Sequence, residues 1–161
     1  KMNKKIKYLV MDVDGTLTDG KIYMGDSGEM MKAFDIKDGY GIHDILIPSG
    51  IIPIIITGRN SKVLECRCRE LGITSLFQGI NNKTEKLDEI LNSSESTYNE
   101  VSYIGDDIND LACMKKIKEN GGITGCPGDA VQKVKDVSDY VSAKNGGNGA
   151  VREFIEWLLA V

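Results

Sequence analysis

Three short apolar runs, each followed by polar residues, organise this sequence. They cover residues 6–10, 51–56 and 101–104. A short, largely apolar run bounded by turn residues is typical of a strand that is buried on both faces of a parallel sheet, and the run 51–56 is continuous. The polar residues after each run are therefore expected at the carboxyl end of a strand, where open α/β sheets bind their ligands.

Segments with helical spacing alternate with these runs and with shorter strands. We predict helices over residues 38–49, 62–71, 84–91, 108–117, 130–134 and 149–160, and further strands at 76–77, 122–124 and 140–141. Two short runs, 21–24 and 30–34, flank the turn sequence Gly-Asp-Ser-Gly and predict a projecting β-hairpin. Repeated strand–helix units predict an α/β fold with a doubly wound parallel sheet.

Length and charge limit the classes of protein that this chain can represent. With 161 residues and a net charge of −4, it fits a single domain over 1–161 and lacks the basic character of a nucleic-acid binder. No run reaches the roughly eighteen apolar residues that span a bilayer, and the polar residues 1–5 do not resemble a signal peptide. We therefore expect no membrane partner and a cytoplasmic location.

Two carboxylates end the first strand. Asp12 and Asp14 are two residues apart, so on a pleated segment they point to the same side, and Gly15 allows an immediate turn. Two like charges this close need a cation between them or a shared proton. Acidic residues are also ordinary turn formers, but a solvated turn explains two carboxylates at the end of a buried strand poorly.

Three further polar positions follow later strands. Thr57 ends the second parallel strand, where its hydroxyl and the next backbone N–H groups suit a phosphate oxygen, although it could also cap a helix. Lys83 precedes a helix, where a cation opposes the helix dipole; a bound anion would remove that penalty, although a solvated lysine is the alternative, and Lys86 lies close enough to compete for this assignment. Residues 105–110 carry three aspartates within five positions, more than a helix cap requires.

The order Asp-x-Asp-Gly-Thr, strand-end Thr, Lys and Gly-Asp-Asp-x-x-Asp resembles the haloacid dehalogenase (HAD) superfamily over nearly the whole chain. The resemblance implies phosphate-ester hydrolysis through an aspartyl-phosphate, with Asp12 as nucleophile and Asp14 as general acid and base. It also implies a Mg²⁺ that is held by Asp12, the Asp14 carbonyl and Asp106. The phosphoryl oxygens would be bound by Thr57, Gly58 and Lys83. Asp107 and Asp110 would support these groups.

The spacing leaves no room for a cap domain, and several segments look like the capless 3-deoxy-D-manno-octulosonate 8-phosphate phosphatases. These segments are 34–39, 57–59, 71–73 and 146–153. The resemblance implies a phosphorylated sugar acid as substrate, with Arg59 and Arg67 as candidate partners of its carboxylate. It also implies a homotetramer with the hairpin and the C-terminal tail at subunit contacts. The sequences 126–128 and 81–82 depart from the usual pattern of the family and put fine specificity in doubt.

Three other functions remain open at this point. Relatives that act on nine-carbon sialic-acid-type 9-phosphates look similar but carry an acidic residue in place of Arg59, which favours the eight-carbon substrate. Similar capless domains occur as non-catalytic oligomerisation modules fused to acylneuraminate cytidylyltransferases, but such a module is expected to lose motif residues. A phosphotransferase that passes phosphate to another acceptor is the third alternative. The glycine-rich segment 145–149 is expected to be either a flexible loop or a tail that folds over a site.

Overall fold

A six-stranded parallel sheet forms the centre of the computed structural model, which describes residues 5–160. The strand order is β5-β4-β1-β6-β7-β8, and β2 and β3 form a separate antiparallel pair. The strands are β1 (Tyr8–Met11), β2 (Tyr23–Gly25), β3 (Gly28–Met31), β4 (Ile52–Ile56), β5 (Ser75–Phe77), β6 (Val101–Ile104), β7 (Ile123–Cys126) and β8 (Tyr140–Val141). The predicted doubly wound α/β architecture is confirmed.

Helices connect the strands and cover the sheet on both faces. They are α1 (Ile36–Tyr40), α2 (Lys62–Leu71), α3 (Lys83–Ser93), α4 (Ile108–Glu119), α5 (Gln132–Asp136) and α6 (Ala150–Ala160). Alternate residues of β1 explain the two layers, because Leu9 and Met11 join one apolar core while Tyr8 and Val10 join the other. None of the helices in residues 5–160 is long and apolar enough to cross a bilayer.

The sheet order places a crevice beside β1. From β1 the chain moves outward through β4 and β5, and it then returns to the other side of β1 with β6. The strand order therefore reverses between β1 and β6, and the carboxyl end of such a pair is where doubly wound sheets hold ligands. Residues directly after β1, β4 and β6 meet at this edge.

The hairpin of β2 and β3 projects from the loop between β1 and α1, as predicted. It exposes three methionines, of which Met24 and Met30 keep 61% and 68% of their surface. Between β1 and β4 the chain forms only this hairpin and helical segments, so residues 5–160 contain no cap domain. The prediction of one domain over 1–161 includes residues 1–4 and 161, which lie outside the described part of the chain.

Two predicted helices begin earlier than the pattern indicated. The helix predicted from residue 38 begins at Ile36, because the Asp35 carboxylate accepts hydrogen bonds from the N–H groups of Lys37 and Asp38 and caps it. This segment continues as a π-helical stretch, Gly41–Leu46, and a 3₁₀ turn that ends at Gly50 in a left-handed conformation. Lys83 is the first residue of α3, which Asn82 caps.

The glycine-rich segment 145–149 is an ordered part of the fold, so the flexible-loop interpretation is wrong. The N–H of Gly147 donates to the carbonyl of Thr16, and a Cβ on Gly146 would lie 1.9 Å from the carbonyl oxygen of Gly15. The following helix, α6, buries Phe154 and Ile155 completely. This C-terminal part of the chain is therefore a core element that supports the acidic loop after β1.

Candidate active site

The acidic loop after β1 is shaped by a glycine. Asp12 follows the strand with 4% of its surface exposed, and Gly15 turns the chain with a φ of 91°. A Cβ at Gly15 would lie 2.0 Å from Oδ2 of Asp106, which follows β6. Only glycine satisfies both the backbone angle and this close approach. The turn thereby brings the carboxylates of two neighbouring strands together, and Thr16 donates to Oδ1 of Asp106 at 3.1 Å.

Lys83 is the buried cation of the site. Its Nζ lies 2.7 Å from Oδ1 of Asp12 and 2.8 Å from Oδ1 of Asp110, and its side chain is 3% exposed. Burial acts to lower its pKa, but the two carboxylates outweigh this effect and raise it. An ammonium group has three N–H bonds. Two are used by these carboxylates, which leaves one for a ligand.

Asp110 holds neighbouring groups of the site in place through hydrogen bonds. Its Oδ1 accepts hydrogen bonds from Lys83 and from the hydroxyl of Tyr103, and its Oδ2 accepts from the backbone N–H groups of Asp106 and Asp107. The residue is completely buried. With four donors its oxygens are saturated, so Asp110 orients other groups instead of binding a ligand.

Three carboxylates crowd together at this edge of the sheet. Oxygens of Asp12, Asp106 and Asp110 lie within 4.8 Å of one another. Burial, reinforced by the Asp110 carboxylate, raises the pKa of Asp12 against the opposing effect of Lys83. Burial and the neighbouring Asp12 raise the pKa of Asp106 to about 9. Asp12 and Asp106 therefore offer hard oxygen donors in a cluster with an unbalanced negative charge, which fits a hard divalent cation.

An open cavity of about 450 Å³ lies above these carboxylates, within the size range of small-molecule sites. Thr57, Gly58 and Arg59 line it from the end of β4, opposite Asp12 and Asp14. Thr57 is 2% exposed, and no group in residues 5–160 forms a hydrogen bond with its hydroxyl. The Arg59 side chain is 44% exposed and approaches Glu29 at 4.0 Å. The cavity thus combines acidic, hydroxyl and cationic groups.

The hairpin places one further charge next to Asp14, a residue that lines the cavity. The Nζ of Lys32 lies 2.6 Å from Oδ1 of Asp14 and 2.7 Å from Oε1 of Glu29, and the Lys32 side chain is 3% exposed. Burial acts to lower its pKa, but the two carboxylates overcome this and raise it. Neither Lys32 nor Glu29 was predicted as a site residue from the sequence. The only signal was a lysine that directly follows two methionines at the end of a hairpin strand.

Curated relatives of this chain are phosphatases. It is 44% identical over 156 residues to the 3-deoxy-D-manno-octulosonate 8-phosphate phosphatase of Escherichia coli, covering 97% of this chain and 80% of that protein. The chain belongs to this phosphatase family. The corresponding enzyme of Yersinia pestis is 43% identical over 154 residues. No protein-family model matches the sequence.

Solved structures of the 3-deoxy-D-manno-octulosonate 8-phosphate phosphatase family share the fold. The Yersinia pestis enzyme has a TM-score of 0.90 and 42% identity, covering 98% of this chain and 82% of the other. The Moraxella catarrhalis enzyme, solved in complex with a magnesium ion, a phosphate ion and a KDO molecule, has a TM-score of 0.90 and 39% identity and covers 98% of this chain and 87% of the other. A cobalt-bound enzyme from Haemophilus influenzae matches with a TM-score of 0.89 and 34% identity, covering 98% and 89%.

Most sequence-predicted site residues of this family member meet in one place. The cavity and the carboxylate cluster beneath it contain Asp12, Asp14, Thr57, Gly58, Arg59, Lys83, Asp106, Asp107 and Asp110. Asp107 differs from Asp110 in its contacts, because it caps α4 and makes no contact with Lys83. Lys86 pairs with Glu89 at the surface and does not compete with Lys83.

Arg67 is the exception. It does not line the cavity of its own chain, and its guanidinium instead binds Glu70 at 2.9 Å and lies over the ring of Phe34. The spacing of α2 explains the difference from Arg59, because Arg59 precedes the helix at the end of β4 whereas Arg67 lies on a later turn. The position of Arg59 could be predicted because it follows a strand. Nothing in the sequence predicted where the side chain of Arg67 would lie.

Proposed function

We propose that this protein hydrolyses 3-deoxy-D-manno-octulosonate 8-phosphate in a magnesium-dependent reaction. The observation that carries the proposal is the convergence of Asp12, Asp14 and Thr57 on one cavity, with Lys83 paired to Asp12 beneath it, in a chain 44% identical to phosphatases of that name. Asp12, Asp106 and the Asp14 carbonyl would hold the cation. When bound, it would neutralise the carboxylate cluster and withdraw charge from the phosphoryl oxygens.

The chemistry that we propose uses an aspartyl-phosphate. The Asp12 carboxylate attacks phosphorus while the bond to the sugar oxygen breaks, and Asp14 donates its proton to that leaving oxygen. Asp14 then removes a proton from a water molecule that attacks the phosphorus, which releases phosphate and restores Asp12. The free N–H of Lys83, the Thr57 hydroxyl and the Gly58 N–H bind the phosphoryl oxygens throughout.

The substrate's carboxylate is assigned to Arg59. Its guanidinium lies at the rim of the cavity, is 44% exposed and suits two-point binding of a carboxylate. Both sugar acids carry this carboxylate; the eight-carbon acid is favoured because relatives that act on nine-carbon 9-phosphates carry an acidic residue in place of Arg59. Arg67 remains a prediction that requires a neighbouring subunit, because it does not reach the cavity of its own chain.

A panel of substrates tests this proposal. Phosphate release with Mg²⁺ is measured from the eight-carbon and nine-carbon sugar acid phosphates and from simple hexose phosphates. Preference for the eight-carbon acid, lost in Arg59→Glu but not in the surface control Arg69→Glu, supports the proposal. Preference for the nine-carbon acid would reassign the substrate, and no release from any compound would favour the non-catalytic module. Release of the free sugar acid that rises with added alcohol acceptors, without a matching rise in phosphate, would favour a phosphotransferase.

We also infer a homotetramer built around the hairpin, in the cytoplasm. Exposed methionines on a projecting hairpin are costly in water and suit an apolar contact between copies; Met24, Met30 and Met31 are all more than half exposed. Light scattering after gel filtration tests the assembly. A monomer at micromolar concentration would overturn it, and Met30→Lys should weaken the tetramer without changing the cavity.

A further inference from the structure

Lys32 is held in place from two sides. It follows β3, and Glu29 on the same strand binds its Nζ at 2.7 Å with a side chain only 11% exposed. Arg59 approaches the same Glu29 oxygen at 4.0 Å. A buried ammonium needs charged partners, and Glu29 supplies one that belongs to the hairpin itself. The ion pair with Glu29 thus links the Lys32 side chain to its own hairpin as well as to the residue on its other side.

That other residue is Asp14. Lys32 donates to Oδ1 of Asp14 at 2.6 Å, a short charge-assisted bond between groups 18 residues apart. Within residues 5–160 no group donates to Oδ2 of Asp14, and the side chain remains 22% exposed at the cavity. One oxygen is thus anchored by the hairpin, and the other is available to a ligand.

We propose that Lys32 is a positioning residue for the acid–base step. The inference rests on the proposed function, in which Asp14 protonates the leaving oxygen. Lys32 fixes the rotamer of Asp14 through Oδ1, so that the Oδ2–H bond breaks toward the leaving oxygen as the P–O bond breaks and the Asp12–P bond forms. Lys32 keeps all of its protons and does not touch the substrate.

Leaving groups of different basicity test this role. The value of kcat/KM covers the steps up to departure of the first product, and a good leaving group departs without a proton. Lys32→Met should lower kcat/KM by less than about threefold on p-nitrophenyl phosphate and by about tenfold on phenyl phosphate. On the sugar acid phosphate the loss should be about thirtyfold. These losses are smaller than the roughly 10²–10⁴-fold rate increase that a general acid supplies in total. Lys32→Arg, which keeps the charge and the donors, should restore most of the loss.

The control is Lys21→Met, which removes an exposed lysine at the base of the same hairpin and should leave all three rates within about twofold of wild type. Equal losses on both aryl phosphates, or a loss confined to the sugar acid phosphate, would overturn the positioning role. If Lys32→Met does not fold, Lys32→Gln carries the same comparison. An inactive wild type would overturn the proposed function as well, whereas an active wild type with an unaffected Lys32→Met would overturn only this inference.

Discussion

Asp12 and Asp110 both bind Lys83, and replacing each by asparagine should have opposite consequences for stability. Asp110 accepts four hydrogen bonds and is completely buried. An asparagine there must turn its NH₂ group either toward the N–H groups of Asp106 and Asp107 or toward Lys83 and Tyr103. The first arrangement leaves two buried donors without acceptors, and the second breaks a buried ion pair.

Either arrangement should cost about 3–5 kcal/mol, the usual effect of removing one partner of a buried pair. At about 2–4 °C per kcal/mol for a domain of this size, Asp110→Asn should lower Tm by about 6–20 °C. Asp12→Asn differs, because Lys83 keeps Asp110 and because burial and the neighbouring carboxylates already disfavour the ionised Asp12, as its raised pKa shows. Its Tm in EDTA should equal or exceed that of the wild type.

The assay is thermal unfolding of both variants and the wild type at pH 7.5, in EDTA and again with Mg²⁺, together with phosphate release. Mg²⁺ should stabilise the wild type and stabilise Asp12→Asn much less, since the variant lacks a ligand. Asp12→Asn should be folded and inactive. Equal destabilisation of the two variants in EDTA would refute the conclusion that Asp110 holds its neighbours in place whereas the ionised Asp12 is disfavoured by its surroundings.

Three other substitutions test separate parts of the structure. Asp14→Asn should abolish turnover of the sugar acid phosphate while lowering the free energy of unfolding by less than about 2 kcal/mol, measured by urea titration. Gly15→Ala should destabilise the protein by more than about 2 kcal/mol and abolish activity, because of its φ of 91° and the contact with Asp106. Asp38 is buried, accepts from the N–H of Arg152, and burial raises its pKa to about 6. The pKa of Asp38 in the folded protein lies above the unfolded value of about 3.9, so stability is lost as pH rises from 4 to 6. Asp38→Asn should therefore raise the free energy of unfolding by up to about 3 kcal/mol at pH 7.5 and leave it unchanged at pH 4.

Strand ends explain why most of the site was predictable. Asp12, Thr57 and Asp106 each follow an apolar run that could only be a buried strand, and parallel strands place their carboxyl ends at one edge. The resemblance of the motifs then assigned the chemistry. Helix boundaries were less predictable, since capping by Asp35 starts α1 two residues before the apolar pattern indicated.

Side-chain contacts between different secondary-structure elements were not predictable from the sequence. Lys32 reaches Asp14 because the hairpin bends over the acidic loop, and nothing in the spacing of the two residues indicates this. Tyr103 lies in the middle of an apolar strand, and its hydroxyl is satisfied only by a carboxylate from the following helix, Asp110. Both contacts arise from tertiary packing, which a periodic pattern does not encode.

The charges of the site determine what it can bind. Asp12, Asp106 and Asp110 face one buried ammonium, that of Lys83, so ionisation of all three would leave two uncompensated negative charges beneath the cavity. Two like charges about 4 Å apart repel by about 4 kcal/mol at an effective dielectric constant of about 20. Each charge of a phosphate dianion would be repelled in this way by the ionised carboxylates of the cluster. The single free N–H of Lys83 cannot offset this repulsion. We therefore expect binding of a phosphate ester at this site to require a bound cation, with the carboxylate cluster as the element that couples the two ligands.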